Sequence, residues 1–551
     1  MFWRKQSFDV LPALSVRRRE LRKSLRLVTL SWMFGVVWLS CISGSQVTVF
    51  ARMLGFTDLD FGIMAAIPFY ATFGQVIATV LIERSGLRKF QFLYFNALHR
   101  MLFMVIAIIP VFLPPGRLSS AMMLVVLAIS WFAAAMAAPA WWTWMGDLIP
   151  KRVRGRFFAN RDRLASLVQV LVVILIGIML DMSTIKGVAG PETPATQPRL
   201  LVVTCVIYAI AGIFGTLDIM MFRSIRELVP KRSSDYSSGL EVGLAHKTRT
   251  GFFKPFKYAL GVVRSVVIDP LKDKAFRYFV GHGATIMFLI TISQWFVWLH
   301  VLEGLHFSKV GANVVLLVLG PLVRILAARP WGKLIDRWGP KPVLLLGTIG
   351  ATLSYVPWLF TPQDMVGPAY LVNAVNRMAS MVGGLFGHPG LTLAGADTPV
   401  GGYLLITIAS CLGGATWISI ILSQTSLLMG FSDSGGRSKF VASWAVLTSI
   451  GGAIGGTVGG WIADSLSFLR LEPLRIGPLA WNNWHFTFLG SVLAGIIAMI
   501  WLAGMPASGG AQVRQVFREL RMVLQNTFAA VVHLPLRMLH IRGRHDDSSG
   551  R

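Results

Sequence analysis

Charge is scarce in this sequence. Only 14% of its 551 residues are charged and 54% are hydrophobic, where soluble domains carry about 25% charged residues. So little charge cannot cover a water-facing surface, which argues against an ordinary soluble fold. Acidic residues are scarcer still, with 25 Asp and Glu against 52 Lys and Arg. The basic residues fall in short segments between apolar runs, with no basic-aromatic module, so no nucleic-acid partner is expected. Cysteine is nearly absent. Cys41, Cys205 and Cys411 all lie inside apolar runs, which leaves no disulfide framework and no thiolate metal site. The His residues are scattered and no nucleophile–base pairing is visible. No catalytic residue, metal or cofactor is therefore expected, and the chain is not read as an enzyme.

What is abundant is long apolar runs. Runs of about 20 residues span a bilayer core of about 30 Å, and backbone groups in hydrocarbon must pair within the segment, so the runs predict helices. Spans are placed at 27–50, 60–82, 91–113, 119–142, 163–181 and 200–222, then at 278–300, 310–331, 342–361, 403–428, 441–464 and 484–504. This predicts an all-α membrane protein of twelve transmembrane helices in two six-helix bundles, 27–222 and 278–504. A basic tail (1–26) precedes them, a polar linker (223–277) joins them, and a second basic tail (505–551) follows. The linker segment 251–264 reads as a helix on the membrane surface or in solution. The first apolar run is too long for a signal peptide. Lys and Arg gather in alternate loops, among them Arg84, Arg88 and Lys89, then Lys151, Arg152, Arg154 and Arg156. By the positive-inside rule both termini are expected in the cytoplasm of a plasma or inner membrane.

The two halves repeat. Ile82-Glu-Arg-Ser-Gly-Leu-Arg-Lys89 follows span two, and Gly332-Lys-Leu-Ile-Asp-Arg-Trp-Gly-Pro-Lys341 follows span eight. Glu83 aligns with Asp336 and Gly86 with Gly339, each 253 positions apart. Arg154, Phe157 and Asp181 align with Arg437, Phe440 and Asp464 at a separation of 283. An insertion of about 30 residues must lie between these pairs in the second half. The stretch 362–402, long for a loop, fits it.

The sequence Gly332-x-x-x-Asp336-Arg337-x-Gly339-x-Lys341 resembles the signature loop of the major facilitator superfamily, with Pro340 where the family usually has a basic residue. The first copy, with Glu83, Arg84, Gly86 and Arg88, resembles it less well: Thr79 stands for the opening Gly, Glu83 for Asp and Leu87 for a basic residue. The resemblance covers roughly residues 27 to 504 and implies a secondary transporter working by alternating access. It implies that the loops bridge the halves when the cytoplasmic side is closed. Asp336 is then expected near Arg161 and Arg163 at the start of span five, and Glu83 near Lys439. A carboxylate at one helix end can accept hydrogen bonds from the positive N-terminus of another. The alternative is a loop that only stabilises topology.

The resemblance also implies a central cavity lined by spans one, four, seven and ten. Their candidates are Trp38, Gln46, Trp131, Gln294, Trp295, Trp417 and Gln424. Flat aromatic faces with amide hydrogen bonds suit sugars, nucleosides or amphipathic organic molecules. Trp141, Trp142 and Trp144 read as interfacial anchors instead. Within spans, Arg100, Asp218 and Arg324 are costly charges. Arg100 is expected to pair with Asp218 or to receive an anionic group. The partners expected are thus a small-molecule substrate, the lipid bilayer and, left open, a coupling proton, with the protein a monomer. A non-transporting sensor or scaffold of the same fold is the alternative, and a membrane enzyme a weaker one.

Overall fold

The computed structural model describes residues 18–506, except 86, 150, 186–191, 226–266, 362–369, 371, 375, 378–379, 382–399, 433–436 and 478. The surface helix expected at 251–264, both far tails and most of the 362–402 insertion lie outside these residues. The described positions of the insertion, 370, 372–374, 376–377, 380–381 and 400–402, are helical, the last three opening span ten.

The chain crosses the membrane twelve times. Single helices form span three (Arg88–Phe112), four (Arg117–Leu148), five (Lys151–Ser183), six (Pro198–Phe222), ten (Val400–Ser432), eleven (Arg437–Ser465) and twelve (Asn483–Gly504). The other five are interrupted. Span one is Arg18–Cys41 and Ser45–Met53, and span two is Asp58–Ala71 and Gly74–Ser85. Span seven runs from Lys274–Thr291 through Phe296–Leu299 to a wide turn at His300–Gly304. Span eight joins Lys309–Asn313, a π segment Val314–Leu319 and Gly320–Trp338; span nine is Pro340–Leu353 and Val356–Leu359. Eleven described helices are long and apolar enough to cross a membrane; span two falls short of that length in each of its two pieces.

Local chemistry fixes the helix starts. Asp273 accepts from the Phe276 amide (2.9 Å), Ser308 from that of Gly311 (3.1 Å) and Asn482 from that of Trp484 (3.1 Å). Thr57 and Asp60 form a reciprocal capping box at span two. Span one breaks at Gly44, whose φ of +96° is open to glycine and strained for other residues. There Gln46 donates to the carbonyls of Ser40 and Ser43, groups that the break frees.

We call the face where span one starts and span twelve ends the near face, and the opposite one the far face. Packing differs between them. On the far side a single apolar core runs through both halves, including Phe61, Ile176, Phe296, Leu299, Ala312 and Phe488. Near the other face the cores are separate. Val28, Phe92, Trp144 and Phe222 pack within the first half, and Phe276, Phe279, Leu344 and Leu427 within the second. Trp144 is wholly buried, edge-on to Phe92, so it is a core residue and not the interfacial anchor expected of it; Trp142 is exposed.

Candidate functional site

The site of interest is the interface between the halves. Span eleven carries Gly451-Gly452, Gly455-Gly456 and Gly459-Gly460, pairs repeating every four residues. The second member of each faces span two. A Cβ on Gly452 would meet Phe69, one on Gly456 would meet Ala66 and Gly62, and one on Gly460 would meet the Gly62 backbone. The first members face span seven, against the carbonyls of Ala284, Phe288 and Ile292. Such small-residue stripes let helix backbones approach closely. Spans five and eight cross in the same way, Gly177 lying against the Val310 backbone. Gly177 and Gly460 are 283 positions apart, the separation of the second repeat pair.

At the far face, charge ties these crossings shut. Asp58, buried at the start of span two, accepts from Arg52 Nη2 (2.6 Å), Asn483 Nδ2 (2.7 Å) and Trp484 Nε1 (3.2 Å), and from Arg470 Nη2. Arg52 Nε also donates to Glu303 (2.7 Å). Arg52 and Asp58 belong to the first half; Glu303, Arg470, Asn483 and Trp484 belong to the second. On the other crossing, Asp181 at the end of span five accepts from the backbone amides of Lys309 (2.8 Å) and Val310 (3.0 Å) at the start of span eight. The helix dipole favours an anion there. Lys309 Nζ reaches Thr184 (3.1 Å) and Glu192. Deeper in, Asn313 accepts from the Ser45 amide (3.0 Å) and donates to the Val173 carbonyl (3.3 Å). The innermost links are Tyr70–Thr457 (3.3 Å) and Ser449–Thr72 (3.4 Å).

Asp336 is exposed and makes no hydrogen bond or ion pair among the described residues, and Arg337 is also exposed. Arg161 pairs with its neighbour Asp162 (2.8 Å) and lies over Trp32 and Phe158; Arg163 is exposed. Gly339 has φ +85° at the end of span eight, so the turn requires glycine, whereas a Cβ on Gly332 would meet nothing within 4 Å. Lys341 donates to the Met505 carbonyl at the end of span twelve (2.5 Å). In the first half Lys89 does the same to Arg223 and Ile225 after span six (2.9 and 2.6 Å). Both lysines fasten their own half, as cations at helix C-termini do. Arg88 is buried. The side chains of Glu83 and Arg84, and Gly86 itself, lie outside the described residues.

The intramembrane charges Arg100 and Asp218 meet at 3.3 Å inside the first half, and Ser31 also donates to Asp218 (2.6 Å). The Arg100 guanidinium stacks 3.3 Å above the Trp38 ring, which places Trp38 in this packing. His99 bonds Ser130 (2.7 Å) and packs against Trp131. Arg324 is partly exposed without a polar partner among the described residues. Of the cavity candidates, Gln46 is committed to the break in span one. Gln294 is exposed at the break in span seven, beside part-buried Trp295, whose indole N–H has no partner. Trp417 and Gln424 are part-buried on span ten, the Gln424 amide nitrogen also without a partner. Sequence reasoning missed the far-face cluster and the glycine ladder. The Gly-Gly repeat was the available signal for the ladder.

Twelve helices in two bundles, crossing through glycine at paired positions, define a membrane transporter fold and not an enzyme. The sequence matches the Major Facilitator Superfamily over residues 39–416, and the chain belongs to that family. No curated protein matches it in sequence. Similar solved structures include a bacterial homologue of the human lysosomal transporter Spinster in an inward-facing, occupied conformation (TM-score 0.57, 11% identity, 88% of this chain and 97% of that one). A D-xylose–proton symporter is similar at TM-score 0.54 and 13% identity, over 88% and 97%. The nucleoside transporter NupG is similar at 0.52 and 11%, over 89% and 100%. At these identities the likeness concerns the fold.

Proposed function

We propose that this secondary transporter moves a small, uncharged organic solute by alternating access, acting as a monomer. The observation that carries the reading is the closure at the far side: the halves share a core there and hydrogen bonds from the far face to mid-membrane. The described charges that join the halves lie at the far face, while mid-membrane offers Tyr70, Thr72, Gln294, Trp295, Ser449 and Thr457. A charged solute would lose its hydration there without a described counter-charge, at a cost of several kcal/mol. Xylose and nucleosides, named for two of the similar structures, are uncharged. A thermal-stability screen of the purified protein checks this, since a ligand at about 100 times its Kd adds about 2.7 kcal/mol. Neutral sugars or nucleosides should stabilise the protein, and Gln294→Ala or Trp295→Ala should weaken the shift. Stabilisation by carboxylates or amines alone would sink the proposal. Uptake of the best ligand into vesicles, with and without a pH gradient, then decides proton coupling.

The basic loops support a cytoplasmic near face, so this form is inward-open. A reporter fused after Arg551 should be active in the cytoplasm; activity only outside the cell would reverse the assignment. In the opposite, outward-open form, Asp336 should reach the start of span five, near Arg161 or Arg163. A charge-assisted bond partly exposed to water contributes about 1–3 kcal/mol, enough to move a two-state balance about tenfold or more. Asp336→Asn should slow transport and favour the inward-open form without lowering the melting temperature. Wild-type transport with an unchanged conformational balance would leave the loop a topological turn.

A further inference from the structure

Between spans eleven and twelve the chain leaves the far face as a short turn, Ser467–Arg470, and a two-stranded hairpin, Leu474–Ile476 with Leu479–Trp481. Register pairs Leu474 with Trp481, Arg475 with Ala480 and Ile476 with Leu479. Directly opposed residues share a face of the ribbon, so Leu474, Ile476, Leu479 and Trp481 make one apolar side and Arg475 stands on the other. The hairpin is anchored at its base. Trp481 donates to the Leu359 carbonyl (3.0 Å) and stacks on His485, and Arg470 is held by Asp58. Beyond that base the apolar groups are uncovered: Leu471 is 89% exposed, Phe468 60%, and Leu474 and Ile476 45% each.

A water-facing loop has no reason to present such a surface. It also continues the exposed apolar face of span eleven. Trp461, 63% exposed near the far end of span eleven, follows exposed Ile450 and Ile454, and Phe468 comes seven residues later. Trp at a span end sits at headgroup level.

We infer that the hairpin and the turn before it form an interfacial paddle, with Phe468, Leu471, Leu474 and Ile476 dipped into the far leaflet. Arg475, on the opposite ribbon face, reaches water or lipid phosphate. Apolar faces of interfacial segments bury to about 5–10 Å at the headgroup boundary. Through Arg470 the paddle is joined to the carboxylate that closes the far face, so bilayer contact and far-face closure share one short segment.

The test uses the full chain in lipid nanodiscs, with a single environment-sensitive NBD label on Leu471→Cys, Phe468→Cys or Arg475→Cys. Signal from the labelled unmutated protein is subtracted for Cys41, Cys205 and Cys411. The labels at 471 and 468 should emit blue-shifted and be quenched severalfold more strongly by brominated lipids than the label at 475. Positions this exposed tolerate the change, and unaltered melting temperatures confirm it. Water-like emission at both 471 and 468, without lipid quenching, overturns the proposal. So does efficient disulfide cross-linking of Leu471→Cys between copies, which would make the patch a self-interface.

Discussion

Asp58→Asn should open the far face. The substitution keeps the size of the side chain but removes the charge that neutralises two guanidinium groups, one from each half. Removing one partner of a buried ion pair typically costs about 3–5 kcal/mol. Arg470 keeps 30% of its side chain in solvent and Arg52 keeps 18%, so a discounted cost of about 2–4 kcal/mol is expected. The part of that cost due to Arg470, Asn483 and Trp484 falls on the far-closed form alone, because these second-half donors leave Asp58 once the halves part, whereas Arg52 stays beside it in both forms. The balance between forms should move by roughly one to three orders of magnitude. Spin labels at Leu118 and Leu471, exposed on opposite halves at the far face, should report a longer mean distance, and transport should fall at least severalfold. An unchanged distance distribution together with normal transport would mean that Asp58 only staples loops.

The second large effect concerns the crossing of spans two and eleven. In Gly460→Leu the first added carbon would lie 2.8 Å from the Gly62 Cα and 3.0 Å from the Leu59 carbonyl oxygen. Both are backbone atoms that cannot turn aside. Overpacking of this kind costs about 1–3 kcal/mol even where neighbours can shift. Here the way to relieve it is to part the helices, so the variant should insert and fold yet stay open at the far face, with transport close to abolished. Gly430→Ala is the matching control, since a Cβ there meets nothing within 4 Å. Normal transport by Gly460→Leu would show that the close approach is dispensable.

Much of the architecture was legible because it is periodic. Apolar length gave twelve spans, and the paired separations linked Gly177 to Gly460, which the structure places at corresponding crossings. Helix breaks at 42–44, 72–73 and 292–295 were not visible, since they fall inside continuous apolar runs. The physical device expected of Asp336, a carboxylate on the N-terminus of a helix in the other half, does occur, but at Asp181 on the far face. Its repeat counterpart Asp464 makes no such bond among the described residues, and the N-terminus it would meet begins with Asp58, itself acidic. The far-face cluster escaped notice for a plain reason. Its contacts across the halves join residues 251 to 426 positions apart, and each residue alone reads as an ordinary loop or helix-end side chain. The sequence also could not show that Trp38 packs under Arg100 and that the Gln46 amide nitrogen serves the break in span one.

The double glycine ladder of span eleven bears on speed as well as closeness. Changing partners at a helix contact normally means releasing and refreezing side-chain rotamers, each with an entropy cost. On two of its faces span eleven offers none at six positions. Spans two and seven can slide along it with little rotamer reorganisation, so this contact behaves as a bearing. The barrier to switching then resides at the far side, in parting the shared apolar core and separating the charged groups there, and the rate of interconversion should respond more steeply to ionic strength than to conservative changes in the apolar packing around the ladder.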